Sequence, residues 1–216
     1  LVEQRKNEEY EKLLSQARFL ALQSQINPHF LFNTLNSINR TVMLGRREQA
    51  LTMLDSLSVL LRYNLADAQM PALLGEELGI TEEYLKIQKM RFSSRLNVDV
   101  RHDRKLEQAV TLPRFTLQPL VENAVIHGLE PKEEGGTLIL DVRKTGNYIR
   151  IRICDNGMGI EKERLERIRR RLSEKQPERI GVWNIWQRLS LYTGRDDSLK
   201  IMSKKGAGTI VSIYLH

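Results

Sequence analysis

The sequence predicts an α+β protein: a helical N-terminal part, then a C-terminal part that mixes strands with helices. Two observations carry this. Up to about residue 92, apolar side chains recur at steps of three and four, the period of helices with one buried face. From about Leu96 the period drops to two. Leu96, Val98 and Val100, then Leu138, Leu140 and Val142, then Ile149, Ile151 and Ile153 alternate with polar neighbours. Short antiparallel strands with helices between them are expected to close into an α/β sandwich.

Residues 1–25 are charged and helix-favouring, and Tyr10, Leu13, Ala17 and Leu20 mark a short coiled-coil seam. The seam starts at residue 1 without a cap signal, as though a longer helix had been cut, so the chain is expected to be part of a larger receptor. The next helix carries QSQINPHFLFNTLNSIN, residues 23–39. Leu31, Leu35, Ile38 and Val42 form its apolar stripe. At 100° per residue, His29 projects roughly 180–240° away from that stripe, so it faces off the core. A neutral imidazole held towards solvent is a nucleophile and proton acceptor near neutral pH. On its own, such a histidine reads first as a plain surface residue.

Gly45 and Arg46-Arg47 mark a turn, and Ala50, Leu54, Leu57, Leu61 and Leu65 stripe a second helix. Two helices with one wet face each do not enclose a core, so a homodimer with a four-helix bundle is expected. Ala68-Gln69-Met70-Pro71 interrupts the pattern, and residues 75–91 read as a third helix. Further on, Pro113 is expected to open a helix running to Gly128. Thr116, Asn123 and His127 fall on its polar line, with Leu117, Leu120, Val121 and Ala124 inward. A charged segment from Met158 to Gly181 reads as a mobile lid, or alternatively as an amphipathic helix with Leu165, Ile168 and Leu172 inward. A helix near 181–193 and strands near 198–203 and 209–215 complete the chain.

Composition narrows the classes. The chain has 216 residues, 28% of them charged, and no apolar run approaching the ~20 residues of a membrane span. One cysteine, Cys154, allows neither an internal disulfide nor a cysteine metal site, and it reads as a strand-packing residue. The net charge of +7 does not point to nucleic acid. Eight Lys/Arg and five Glu in residues 161–179 supply +3 of it, and the rest is scattered without aromatic interleaving.

Ile26-Asn27-Pro28-His29-Phe30-Leu31-Phe32-Asn33 resembles the phosphoacceptor segment of LytS/YesM-type sensor histidine kinases, and Tyr84-Leu85-x-Ile87-Gln88-x-x-Arg91-Phe92 is similar to the YesM-like members. The resemblance extends over most of the chain. Gln118-Pro119-Leu120-Val121-Glu122-Asn123-Ala124-x-x-His127-Gly128 resembles the family's N box, and Asp155-Asn156-Gly157-Met158-Gly159 its G1 box. Ile180-Gly181-Val182-Trp183-Asn184-Ile185-x-x-Arg188-Leu189 resembles the G2 region, and Gly206-Ala207-Gly208-Thr209 the closing glycine motif.

What this implies is specific. His29 would receive the γ-phosphoryl group of ATP, with Asn33 its nearest polar neighbour and Glu122 a helper for its proton. Asn123 would hold Mg²⁺, and Asp155 would read the adenine amino group. His127, Gly157, Gly159, Gly181, Asn184, Arg188, Gly206, Gly208 and Thr209 would complete the ATP site. The implied organisation is a signalling coiled coil (1–25), a dimerisation and phosphoacceptor domain (26–92) and a GHKL-type ATP-binding domain (93–216). The implied partners are a second copy and a response regulator, with a membrane sensor region outside this sequence and this part in the cytoplasm.

Three positions set the chain apart from relatives, and one of them, Arg179, departs from the family's own pattern. Phe30 stands where many histidine kinases have an acidic residue, and Arg179 where the lid usually has a glycine. Pro119 stands where hydrolytic relatives carry a general-base Glu, which favours transfer over hydrolysis. A GHKL-fold ATPase and a catalytically weak dimeric scaffold remain as alternatives.

Overall fold

The computed structural model describes residues 28–64, 70–175 and 181–215. The expected coiled coil at 1–25 and Arg179 lie outside them. The chain divides into two compact units, and the division falls inside one helix.

The helical unit holds α1 (Pro28–Met43), α2 (Arg47–Asn64) and the second half of α3 (Leu74–Phe92), from Glu83 to Arg91. Gly45, at φ 72°, makes the turn between α1 and α2. Leu31, Leu35 and Ile38 are buried as expected, joined by Phe30 and Thr34. Val42 is not: at 49% exposure it sits beside the open turn. On α2 the buried line runs through Ala50, Met53, Ser56, Leu57 and Leu60, so Leu54 and Leu61 flank the buried face instead of centring it.

The third wall comes from α3. The Phe30 and Tyr84 rings meet at 5.1 Å, and the Ser56 hydroxyl donates to Glu83 at 2.5 Å. The α1–α2 pair therefore closes part of its core within one chain, which weakens the argument that a second copy is needed for that purpose.

The second unit begins earlier than the expected residue 93. The stretch from β1 (Pro71–Leu73) to Glu82 belongs to it. The reason is strand pairing across the chain: β1 runs antiparallel to β3 (Thr111–Pro113), with Pro71 opposite Pro113. Between them lie β2 (Leu96–Arg101) and α4 (Arg104–Ala109), whose first turn is capped by Asp103 accepting the Lys105 amide. Pro113 thus ends a strand and does not open a helix. The helix starts later, as α5 (Leu117–Asn123), and continues as a wider π-helical turn over Ala124–Leu129.

The remaining elements are β4 (Gly136–Thr145), β5 (Tyr148–Asp155), α6 (Lys162–Ser173), α7 (Gly181–Thr193), β6 (Leu199–Lys204) and β7 (Gly208–Leu215). Five strands form one sheet in the order β2-β4-β5-β7-β6. It is mixed, not wholly antiparallel, because β2 pairs parallel with β4. Such pairing needs a long crossover, and the chain through α4, β3 and α5 provides it.

Alternation decides the two faces. Leu138, Leu140, Ile151, Ile153 and Ile213 are buried on one side, with Leu117, Val121, Trp186 and Leu189 from the helices also buried. The other side carries Asp141, held by Arg143 at 2.8 Å and facing Arg152 at 3.6 Å. Half of the segment expected to be a lid is α6, with Leu165 and Ile168 buried and Leu172 half-buried. This stretch takes the amphipathic-helix form, and Arg169 ties it to the edge of β6 by donating to the Ile201 carbonyl at 2.7 Å.

Candidate functional site

His29 is exposed on α1, as its angular offset from the buried stripe requires. Asn33 stands one turn on, with its amide nitrogen 3.1 Å from Nε2 and 3.4 Å from Nδ1 of the imidazole. Below them the helix is locked: Phe30 is buried, and the Thr34 hydroxyl donates to the Phe30 carbonyl at 2.8 Å. The ring is therefore presented from a fixed backbone with one amide neighbour.

In the second unit the site grows from the end of β5. Asp155 closes the strand opposite Leu138 on β4 and Thr209 on β7. Its carboxylate accepts the Gly157 amide at 2.9 Å. Burial pushes the Asp155 carboxyl above the ordinary range, against downward pulls from the Gly157 and Thr209 backbone amides. The turn that follows is laced to its surroundings. The Met158 amide donates to the Gly128 carbonyl at 2.9 Å, and the Gly206 amide to the Met158 carbonyl at 2.7 Å. Gly157 lies against Gly128 so closely that a Cβ would collide with its carbonyl. Gly208, at φ 102°, approaches the Asp155 carbonyl in the same way.

Across from this turn stand Asn123 and His127. The π-helical turn after Asn123, marked by the Glu130 amide reaching back to Val125 at 2.8 Å, widens the helix where His127 and Gly128 meet the β5 turn. Between them is a cavity of about 310 Å³. Leu120, Ile153, Ile201 and Val211 line its apolar part, while Asn123, His127, Asp155 and Thr209 supply polar groups. Gly159, Arg164 and Gly181 border it as well. Its size and its few converging polar groups suit a small planar ligand with a charged tail.

Six of the expected ATP-site residues thus converge: Asn123, His127, Asp155, Gly159, Gly181 and Thr209. Gly157 backs the turn behind them. Gly208 lines a neighbouring cavity with Cys154, whose thiol burial pushes above its usual value, which suits packing more than reactivity. Glu122, Asn184 and Gly206 are not among the lining residues. Arg188 is turned to another task, its Nη2 donating to the Phe115 carbonyl at 2.6 Å. Thr116 is buried, and its hydroxyl donates to the Pro113 carbonyl at 2.6 Å, so it leaves the polar line.

Two residues escaped the sequence reading. Arg164 lines the cavity from α6; its signal was the i, i+4 spacing to inward-facing Ile168. Glu77, described below, had no signal in its own neighbourhood.

A mixed sheet backed by helices, with a strand-end carboxylate under a glycine turn and an amide-bearing helix across from it, is the GHKL type of ATP-binding fold. Comparison with known proteins agrees. Residues 109–216 match the family of histidine kinase-, DNA gyrase B-, and HSP90-like ATPases, and residues 17–96 match that of the histidine kinases. The chain is 35% identical over 209 residues to the sensor histidine kinase YesM of Bacillus subtilis, covering 97% of this chain and 35% of that one. It is 36% identical over 212 residues to the sensor protein LytS of Oceanobacillus iheyensis, covering 96% and 36%. It is 33% identical over 211 residues to the sensor histidine kinase YpdA of Escherichia coli, covering 96% and 36%. The chain belongs to the LytS/YesM-type sensor histidine kinases. It spans about a third of the length of these relatives.

Proposed function

We propose that this chain transfers the γ-phosphoryl group of ATP to His29 and then to an aspartate of a response regulator. The observation that carries the reading is the convergence of Asn123, His127, Asp155 and Thr209 on one cavity whose apolar part can take a purine. Asp155 accepts the adenine amino hydrogens from beneath. Arg164 supplies a cation towards the phosphates, and Gly181 opens α7, a helix N-terminus suited to anionic groups.

The donor set also suits Mg²⁺. The Asn123 amide oxygen is a hard ligand, and the remaining positions of such an ion are filled by water and phosphate oxygens. Mg²⁺ would supply charge neutralisation on the β- and γ-phosphates. The protein's own part is positioning. A lone pair on the His29 imidazole attacks the γ-phosphorus, the N–P bond forms, and the bond to the ADP oxygen breaks. The ring's remaining N–H proton is then lost, with Glu122 the candidate to take it. Asn33 holds the ring by its amide and must yield the nitrogen that attacks.

Pro119 on α5 favours transfer over hydrolysis, because a pyrrolidine ring activates no water. A homodimer is part of the proposal, and exposed Phe32, Met43 and Leu51 on the helical pair support a second copy. No helix among the described residues is long and apolar enough to cross a membrane, and we place this part of the protein in the cytoplasm beneath a membrane sensor.

The test is incubation with γ-labelled ATP and Mg²⁺, comparing wild type with His29→Gln. Acid-labile, alkali-stable label present only in wild type is the expected result. Label surviving in the variant moves the acceptor elsewhere. Phosphate release without label supports the ATPase alternative, and bound nucleotide without either supports the scaffold.

A further inference from the structure

The N-terminus of α5 is capped by a residue about 40 positions upstream. Glu77, in the first turn of α3, is 1% exposed. Its Oε1 accepts the Phe115 amide at 2.7 Å, and its Oε2 accepts the amides of Thr116 and Leu117 at 2.9 and 2.8 Å. These are the donors that the start of a helix leaves unpaired. α5 has no side-chain cap of its own, since the Thr116 hydroxyl is spent on Pro113. A carboxylate here also meets the positive end of the helix dipole, and its bonds are charge-assisted.

The same peptide is held from the other side. Phe115 sits at φ 60°, an unfavourable value for a bulky residue, and its carbonyl accepts Arg188 of α7 at 2.6 Å. One residue is therefore clamped by a carboxylate from α3 and a guanidinium from α7. Both helices beyond it reach the cavity: α5 through Asn123, with His127 just past it, and α7 through Gly181 and Val182. Asp155 is on β5 and is not part of the clamp.

We propose that Glu77 is a positioning residue for the metal end of the nucleotide site, acting through Phe115, which Arg188 holds from the other side. It sets where Asn123 stands, and leaves the adenine half to Asp155. The inference rests on the nucleotide reading above.

The experiment is titration of this chain with ADP, in Mg²⁺ and in chelator, for wild type, Glu77→Gln and Arg188→Met. Glutamine is isosteric but presents one acceptor and an N–H₂ where three amides need oxygen. The expected result is Mg²⁺-free ADP affinity within about twofold of wild type, with the Mg²⁺ enhancement reduced about tenfold or more, as small displacements of aligned groups do. Arg188→Met should show the same split, and it carries the test if Glu77→Gln does not fold. Unchanged Mg²⁺ enhancement in the folded variants overturns the proposal. Equal loss with and without Mg²⁺ also overturns it, because it reduces the clamp to a general fold contact. A wild type that binds no ADP in either condition sinks the nucleotide reading itself.

Discussion

Gly157 lies flat against Gly128. The Gly128 carbonyl accepts the amide of Met158, the residue just after Gly157, at 2.9 Å, and no Cβ fits at Gly157 without striking that carbonyl. This joins the turn after β5 to the end of the π-helical segment. It fixes the end of β5, and with it Asp155, relative to the helical segment that carries His127.

Gly157→Ala should therefore separate the two walls of the cavity. Overpacking a rigid contact of this kind costs about 1–3 kcal/mol. The expected outcome is a folded protein of lowered Tm whose nucleotide affinity falls at least about tenfold, since a small displacement weakens all the contacts that aligned groups make together. Calorimetric melting together with nucleotide titration checks it. Wild-type affinity in the variant would show that the turn adapts freely.

Asp155 should confer a pH dependence. Its carboxyl is held above 3.8 chiefly by burial. For stability, the protonated form is favoured in the fold, so the contribution is complete below the ordinary value and is lost as pH rises through the folded one. Nucleotide binding runs the opposite way, because the ionised carboxylate is the stronger acceptor for an adenine amino group. Affinity should fall on acidification with a midpoint above 3.8, and Asp155→Asn should bind weakly without that transition. A dependence that persists in the variant would belong to the adenine ring or another group.

The fold class was legible because period alone separates the two halves: Leu31, Leu35 and Ile38 at helical steps, Leu138, Leu140 and Val142 at alternate ones. The site was legible where it sits on local punctuation, as at Asp155-Asn156-Gly157, where a strand meets glycines. What stayed hidden was long-range. Glu77 looks like an ordinary acidic residue in a helical first turn, and only the fold brings it to Phe115. Arg188 sits inside a recognised motif, yet its partner is a carbonyl 73 positions away. Pro113 misled for a related reason: proline suits a helix start, but pairing with Pro71 made it a strand end.

The closing glycine motif divides into two kinds of glycine. Gly206 has φ 76° and open space within 4 Å of where a Cβ would stand, whereas Gly208 has φ 102° and abuts the Asp155 carbonyl. Gly206→Ala should cost about 1 kcal/mol, the strain of a left-handed residue alone. Gly208→Ala adds a steric clash and should cost about 3 kcal/mol. Chemical denaturation of both variants distinguishes them. Equal losses would mean that the hairpin shifts to make room.

Arg164 supplies the last prediction. It is exposed on α6 and borders the same cavity as Asn123 and Thr209, one residue before buried Leu165 and one turn before buried Ile168. Those two anchors fix the helix, so Arg164→Ala should leave the fold intact. A solvated guanidinium near a triphosphate gives an attraction that salt screens within about 8–10 Å. The variant should thus bind ATP about three- to tenfold more weakly, the range of one net hydrogen bond of about 0.5–1.5 kcal/mol whose charge solvent largely discounts, and bind adenosine as wild type does. Raising the salt concentration should narrow the gap for ATP. Parallel titrations with ATP and adenosine at two ionic strengths check this. A matching loss for adenosine would place Arg164 at the base and not at the phosphates, and would require a different orientation of the nucleotide between Asp155 and α6.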